Sequence, residues 1–296
     1  MSLSGEGGGP DLLVKAIGAL RPKLHRYTAR MTGSAIDGED VVQDALLKAI
    51  EALPRAGDIV NVEGWVFRII HNTALDYLRR RGRRGALESD DDPDGVADPA
   101  TAGGEHLAAA ASLRTFMHLP PAQRSSVILM DVLGHSLQEI ADATGLTVPA
   151  VKAALHKGRL RLRALAREPE ERPQPRLDAR ERERLAAYVA RFNAREFDAL
   201  RDLLADDVRL DLLGKNRLDG RPLVGRYFGN YAQIADWHLG LGHVDGRPAI
   251  LVSDPQQPGG APGYVILLDW DGERIRHIRD FRYARHVMAE VEVVAD

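Results

Sequence analysis

The sequence predicts a multidomain chain, two all-α helical domains followed by an α+β domain, and three observations carry that prediction. Apolar residues recur at helical spacing as far as residue 167. A stretch rich in proline and charge, EPEERPQPRLDA at 168–179, then interrupts the pattern. Beyond it come short alternating or apolar runs punctuated by Gly220, Gly246, Gly260 and Gly272, and Asp271-Gly272 is a strong hairpin signal. The boundaries that follow are helical domains at 10–86 and 105–167, an acidic linker at 87–104, a second linker at 168–179 and the α+β domain at 180–296. A length of 296 residues accommodates two to three domains.

Residues 11–30 read as a first helix, with Leu12, Leu13, Ile17, Leu20, Leu24 and Tyr27 on one stripe. Asp37 can cap a second, whose Val41, Ala45, Ala49 and Leu53 align before Pro54 stops it. Asn61 can cap a third through Val62, Trp65, Ile69 and Ile70 into the arginine block. After the linker, helices are expected at 105–118 and 121–133. Ser136 followed three residues later by Glu139 is a capping box for Leu137 to Thr144, which Gly145 ends. Thr147 can cap the last helix of this half, with Pro149 in its first turn. A helix at 180–195 and a compact helical stretch from Phe197 to Leu204 precede alternating or apolar runs at 208–213, 223–234, 248–253, 263–270 and 274–283.

Composition narrows the function classes. No apolar run approaches the roughly 18 residues that a spanning helix needs, the start lacks the features of a signal peptide, and the cytoplasm is the simplest address. With no cysteine there is no disulfide, no thiolate nucleophile and no cysteine-ligated metal. No Walker pattern, GxGxxG or metal-ligand spacing is present, so neither a cofactor nor a metal is expected. The formal charge of -3 averages unlike pieces. Residues 1–84 carry +3, 85–112 carry -7, 113–168 carry +4 and 169–296 carry -3. Two basic blocks split by an acidic segment suit a two-module binder of a polyanion.

A helix, a glycine turn and a basic helix form the pattern of a helix-turn-helix unit, whose second helix enters the major groove. SLQEIADATGLTVPAVKAALHKGRLRLR resembles region 4 of a bacterial sigma factor, and DGEDVVQDALLKAIEAL with VEGWVFRIIHNTALDYLRRRGRR resembles region 2. Order and spacing resemble the extracytoplasmic-function group. The resemblance implies binding to core RNA polymerase through Asp40, Gln43 and Asp44. It implies contact with a melted -10 promoter element through Trp65, Asn72, Asp76, Arg79, Arg80, Arg83 and Arg84. For the duplex -35 element it implies Thr147, Lys152, Ala153, His156, Lys157 and Arg159. Asn72, Asp76, Arg79, Arg80 and Arg83 recur at three- and four-residue steps, so one helix face can present them, and the arginine fork suits phosphate. Asp76 can equally form a surface ion pair with Arg79 or Arg80, and Trp65 can be a core residue.

Residues 184–286 resemble the NTF2/SnoaL-like fold, a curved sheet wrapped by helices around a cone-shaped pocket, on RLAAYVARFNAREFDALRDLLADDVRLDLLG, GRPLVGRYFGNY and DGERIRHIRDFRYARHVM. Extracytoplasmic-function sigma factors with such a domain form a group in which it regulates by contacting the sigma core. Some members of the fold are enzymes. Candidate pocket residues are Asp211, Asp236, His238, His243 and Asp280, with a small ligand as a further partner. No catalytic residue is expected, and the reading is not an enzyme. The alternatives are a helix-turn-helix regulator with a ligand-sensing domain, and a SnoaL-like isomerase or hydrolase localised by its basic modules.

Overall fold

A computed structural model of the chain describes residues 9–57, 59–82, 104–167, 179–257 and 260–295, with the side chains of 9–14 and 104–105 undescribed. The chain divides into two compact units, 1–171 and 172–296.

The first unit is all helical. It comprises α1 (Gly9–Thr32), α2 (Ala35–Ala52), α3 (Val62–Gly82), α4 (Gly104–Ala110), α5 (Leu113–Met117), α6 (Pro121–Val127), α7 (Leu137–Thr144) and α8 (Val148–Leu165). The expected helix at 105–118 is broken, because Ser112 accepts a hydrogen bond from the Thr115 N–H and starts α5 afresh. The stretch 121–133 is helical throughout, but α6 widens into a π turn at Ile128–Val132.

Caps decide where these helices begin. Ser34, not Asp37, caps α2, its hydroxyl accepting from the Asp37 N–H at 3.2 Å. Asp37 lies inside the first turn, where its carboxylate accepts from Arg81 at 2.9 Å instead. Asn61 Oδ1 accepts from the Gly64 N–H at 2.9 Å at the start of α3. The Ser136–Glu139 capping box is complete, Gly145 takes the left-handed conformation at φ 76° and Thr147 caps α8.

Helices α1 and α2 form a tight hairpin. Gly33, at φ 76°, makes the reversal, and Gly38 lets the backbones meet: a Cβ there would lie 2.6 Å from the Ala29 nitrogen. Tyr27 of α1 shares a 2.7 Å hydrogen bond with His71 Nδ1 of α3, and burial pushes the His71 imidazole down to about 4, keeping it neutral. One apolar cluster runs from Ile17 through Tyr27, Phe67 and Ile70 to Phe116, Ile140 and Leu162, so α1–α3 and α5–α8 share a core.

The second unit is α+β. Helices α9 (Ala179–Asn193), α10 (Phe197–Asp202) and α11 (Arg221–Ala232) accompany β1 (Leu204–Leu212), β2 (Asn216–Asp219), β3 (His238–Val244), β4 (Arg247–Ser253), β5 (Tyr264–Asp271), β6 (Arg274–Asp280) and β7 (Val293–Ala295). The strands order as β2-β1-β6-β5-β4-β3-β7, antiparallel except for the parallel β1–β6 pair. Four of the five alternating or apolar runs form β1, β4, β5 and β6. The fifth, 223–234, is helical: Val224, Tyr227, Phe228 and Tyr231 are buried at three- and four-residue intervals, with Pro222 in the first turn. Phe192 of α9 sits at the middle of the ring core, 5.4 Å from Phe197, 5.2 Å from Tyr231 and 5.0 Å from Trp237.

Gly38→Ala tests the α1–α2 crossing. The added methyl meets backbone, which cannot rotate away, so we expect the helical unit to lose about 1–3 kcal/mol in urea unfolding, as overpacked sites do.

Candidate nucleic-acid interface

Helix α3 exposes Asn72, Asp76, Arg79 and Arg80 along one face. Asp76 accepts from Arg79 at 3.1 Å, an exposed i,i+3 pair that contributes little to stability. Arg81 points elsewhere: its bond to the buried Asp37 ties the end of α3 to the start of α2. All three arginines are exposed, but Arg81 is tied to Asp37 of α2 whereas Arg79 and Arg80 stay on the outer face of α3. Arg83 and Arg84 lie outside the described residues. Trp65 is half-buried and packs against the apolar core.

On α2, Asp44 is exposed while Asp40 and Gln43 are half-buried. Next to them stand two apolar side chains that the sequence reading did not single out, Leu47 at 60% and Ile50 at 50% exposure. Both fall off the Val41–Ala45–Ala49 stripe, which was the available signal.

In the helix-turn-helix, the Ser136–Glu139 box fixes the entry of α7, and the Ser136 N–H hydrogen bond holds the Glu139 carboxyl below the usual range. The Gly145 turn then sets the start of α8. Lys152 and Thr147 are exposed, and Ala153, His156 and Lys157 are half-buried. Arg159 is placed differently from these. Its guanidinium makes a two-pronged pair with the buried Asp131, one prong being Nε to Oδ2 at 2.9 Å, which clamps α8 to the π turn after α6.

The five candidate pocket residues of the second unit do not converge. The β1–β6 register sets Leu212 beside Asp280 and Asp211 beside Arg279. Strand side chains alternate, so Asp211 and Asp280 lie on opposite faces of the sheet. Asp211 accepts from His277 Nε2 at 2.7 Å, and His277 Nδ1 lies 3.2 Å from Asp269. Burial pushes the Asp211 carboxyl up, but the hydrogen bonds from His277 and Arg209 outweigh it and leave it lowered. Asp280 is fully buried and raised by that burial, with Tyr227 donating to it at 2.9 Å and Tyr231 at 2.8 Å. Asp236 is joined to this cluster through Arg282, which lies over the rings of Tyr231 and Tyr264. His238 is exposed at the start of β3, and His243 is buried on the same strand. A groove of about 540 Å³ lies elsewhere, along α10 and α11, lined by Arg201, Arg221, Gly225, Arg226 and Gly229 among others. Among the described residues no three His, Cys, Asp or Glu side chains could hold a metal ion, and no helix is long and apolar enough to cross a membrane.

Comparison with known proteins matches residues 16–84 to Sigma-70 region 2 and residues 113–162 to Sigma-70, region 4. The extracytoplasmic-function (ECF) RNA polymerase sigma factor SigG of Mycobacterium tuberculosis is 27% identical over 298 residues, spanning 88% of this chain and 78% of that protein. SigD of Mycobacterium bovis, also an ECF RNA polymerase sigma factor, is 32% identical over 166 residues, spanning 53% of this chain and 77% of that protein. The chain belongs to the ECF sigma factor family. As a sigma factor it is a non-catalytic transcription factor that binds the core of RNA polymerase and recognises promoter elements. The crystal structure of the ECF sigma factor SigJ of M. tuberculosis aligns at 21% identity with a TM-score of 0.36, covering 90% of this chain and 95% of that one.

Arg159→Ala separates structure from DNA contact in this sigma factor. Losing the cation strands the buried Asp131, so the helical unit should be destabilised by about 3–5 kcal/mol in thermal or urea unfolding without any DNA present. An unchanged melting curve would return Arg159 to the DNA-facing set.

Proposed function

We propose that α3 of this sigma factor engages the melted -10 element, that α8 reads the duplex -35 element, and that α2 docks on core polymerase. The observation that carries this reading is the division of labour on α3: Asn72, Asp76, Arg79 and Arg80 share an exposed face, while the neighbouring Arg81 is committed to Asp37. Exposed arginines offer planar forks to phosphate, and the Asn and Asp beside them can hydrogen-bond an unpaired base edge. On the N-terminal half of α8, Lys152 is an exposed cation, flanked by half-buried Ala153, His156 and Lys157. Lysine positions the helix on phosphate, whereas Ala153 can meet a thymine methyl. Leu47 and Ile50, beside Gln43 and Asp44, supply the exposed apolar ground that a stable protein contact needs.

We further propose that the C-terminal unit is a SnoaL/NTF2-like domain that modulates this activity. Its helices packed on a mixed sheet support that assignment, and the similarity to SigG spans more of the chain than the helical unit alone can supply. The interior around Asp280 is filled by tyrosine hydroxyls and rings, which favours a regulatory role over turnover there.

Run-off transcription with purified core polymerase and promoter fragments tests the first reading. Initiation should require this protein, and replacing Arg79 and Arg80 together with Ala should reduce open-complex formation roughly tenfold or more while core binding persists, each lost charge-assisted bond contributing about 1.5–3 kcal/mol. Neither initiation nor core binding by the full chain would overturn it. For the second reading, a chain ending at residue 171 should initiate at a rate different from the full chain on the same promoter; equal rates would remove the regulatory role.

A further inference from the structure

We infer that the groove along α10 and α11 of the second unit binds a nucleoside phosphate, at a place distinct from the buried Asp280 cluster. The inference stands apart from the function proposed above, because it concerns binding by the second unit alone. The groove follows from the residue order of α11. At about 100° per residue, Val224, Tyr227, Phe228 and Tyr231 point to the core, whereas Gly225 and Gly229 fall on the other side. The helix surface sinks at those two glycines, and the longer side chains around them become walls. Arg226 and Asn230 form one flank. On the other stands Arg201 of α10, whose Nε donates to the Gly225 carbonyl at 3.0 Å and whose Cδ lies 3.8 Å from where a Gly225 Cβ would be. Arg221 bounds the groove at the start of α11, and Gln233 bounds it at the far end.

Nothing in the packing of α11 calls for these glycines. Neither has a positive φ, a Cβ at Gly229 would meet no atom within 4 Å, and one at Gly225 would make only ordinary contact with Arg201. Each costs a helix interior roughly 0.5–1 kcal/mol relative to alanine. What they provide is space: a groove of about 540 Å³, the size of a small-molecule site. It extends along about 18 Å of helix, from Arg221 to Gln233.

The walls determine what fits. Arg226 is half-buried and has neither an ion pair nor a hydrogen bond among the described residues, so an anion in the groove gains a guanidinium that no carboxylate of the fold occupies. Arg201 pairs with Asp198, and Arg221 lies 3.2 Å from Asp202 and 3.8 Å from Asp206. All three carboxylates are exposed, and pairs of that kind are weak. A phosphate group, with several oxygens for the planar forks, can displace them. The arginines gather around the first half of α11, and the amides of Asn230 and Gln233 lie around its end. An amide presents a donor and an acceptor together, which matches the edge of a nucleobase. The bare surface at Gly229 lets a flat ring approach the helix closely. Phosphates among the arginines and a base beside the amides is the placement that uses every wall of the groove.

Isothermal titration calorimetry of the full-length chain with ADP, GDP and inorganic pyrophosphate tests the site. At least one of the two nucleotides should bind with a Kd below about 1 mM, and about fivefold or more tightly than pyrophosphate, which cannot reach the amides. Arg226→Ala should weaken nucleotide binding about tenfold or more, the usual loss for a charge-assisted hydrogen bond. Gly229→Leu fills the floor at a position where a Cβ meets no atom within 4 Å, so it should leave the circular dichroism spectrum unchanged and weaken the nucleotide by a similar factor. Arg276→Ala removes an exposed arginine of β6 that pairs with Asp207, and it should leave the affinity as it was. No saturable binding of either nucleotide, pyrophosphate binding as tightly as both, an affinity indifferent to Arg226→Ala and Gly229→Leu, or an equal loss in Arg276→Ala would each overturn the inference. A chain that initiates transcription but binds no nucleotide loses only this site, whereas one that binds nucleotide but neither initiates nor binds core loses only the proposed function.

Discussion

The helical unit is organised around a buried guanidinium. Burying a cation costs several kcal/mol unless its donors find acceptors, and the two terminal nitrogens of Arg124 find them in carbonyls from the ends of α1 and α5 and the turn after α5, while its Nε has no hydrogen-bond partner. Those carbonyls lack partners within their own helices, and the negative ends of the helix dipoles point toward the cation. Burial lowers Arg124 only to about 10, so it stays charged at neutral pH. One side chain thereby satisfies two helix ends and sets where α1 lies against α5 and α6. The hairpin reversal at Gly33, the crossing at Gly38 and the approach of Phe67 to His135 complete the packing around it.

Arginines in this unit do three kinds of work that composition cannot tell apart. Arg79 and Arg80 sit on an exposed face, Arg81 and Arg159 clamp buried carboxylates, and Arg124 joins helix ends. Helical period sorts the first from the second only in part, since Arg80 and Arg81 are adjacent and differ by about 100° around the axis. What distinguishes Arg81 is a carboxylate 44 residues earlier, and for Arg159 one 28 residues earlier. Such partners are long-range facts. The helical faces proposed to meet DNA were legible in the residues, whereas the roles of individual cations were not.

Local signals were read well where the physics is local. The Ser136–Glu139 box, the Gly145 end, and the Asn61 and Thr147 caps each involve groups two to four residues apart. Ser34 and Asp37 show the limit: both are good capping residues, and the choice fell to Ser34 because Gly33 ends α1 immediately before it. In the second unit, 223–234 carries aromatic and branched residues that fit strand or helix alike, and its packing against β1 resolved it as helix. Strand β3, HLGLGHV, carries two glycines that weaken its signal, and only pairing with β4 and β7 reveals it. The scatter of the pocket candidates has the same origin, because a face assignment needs the register of the neighbouring strand.

Stability of the helical unit is carried by side chains largely separate from those on the faces proposed to meet DNA and polymerase. Its folded state depends on Tyr27–His71, Arg124, Asp131–Arg159 and Asp37–Arg81, most of them buried or half-buried and directed inward. Its exposed charges and apolar residues on α2, α3 and α8 contribute little to that state, since surface pairs such as Asp76–Arg79 are weak. On the proposed reading, this separation leaves the outward residues open to change with promoter sequence while the scaffold stays fixed. His135, Arg124 and Met117 are inward residues whose contacts, Phe67, the Met31 carbonyl and Gly33, lie on the first three helices and the turn between α1 and α2, so the same side chains that hold the helices together also fix how the proposed faces are presented.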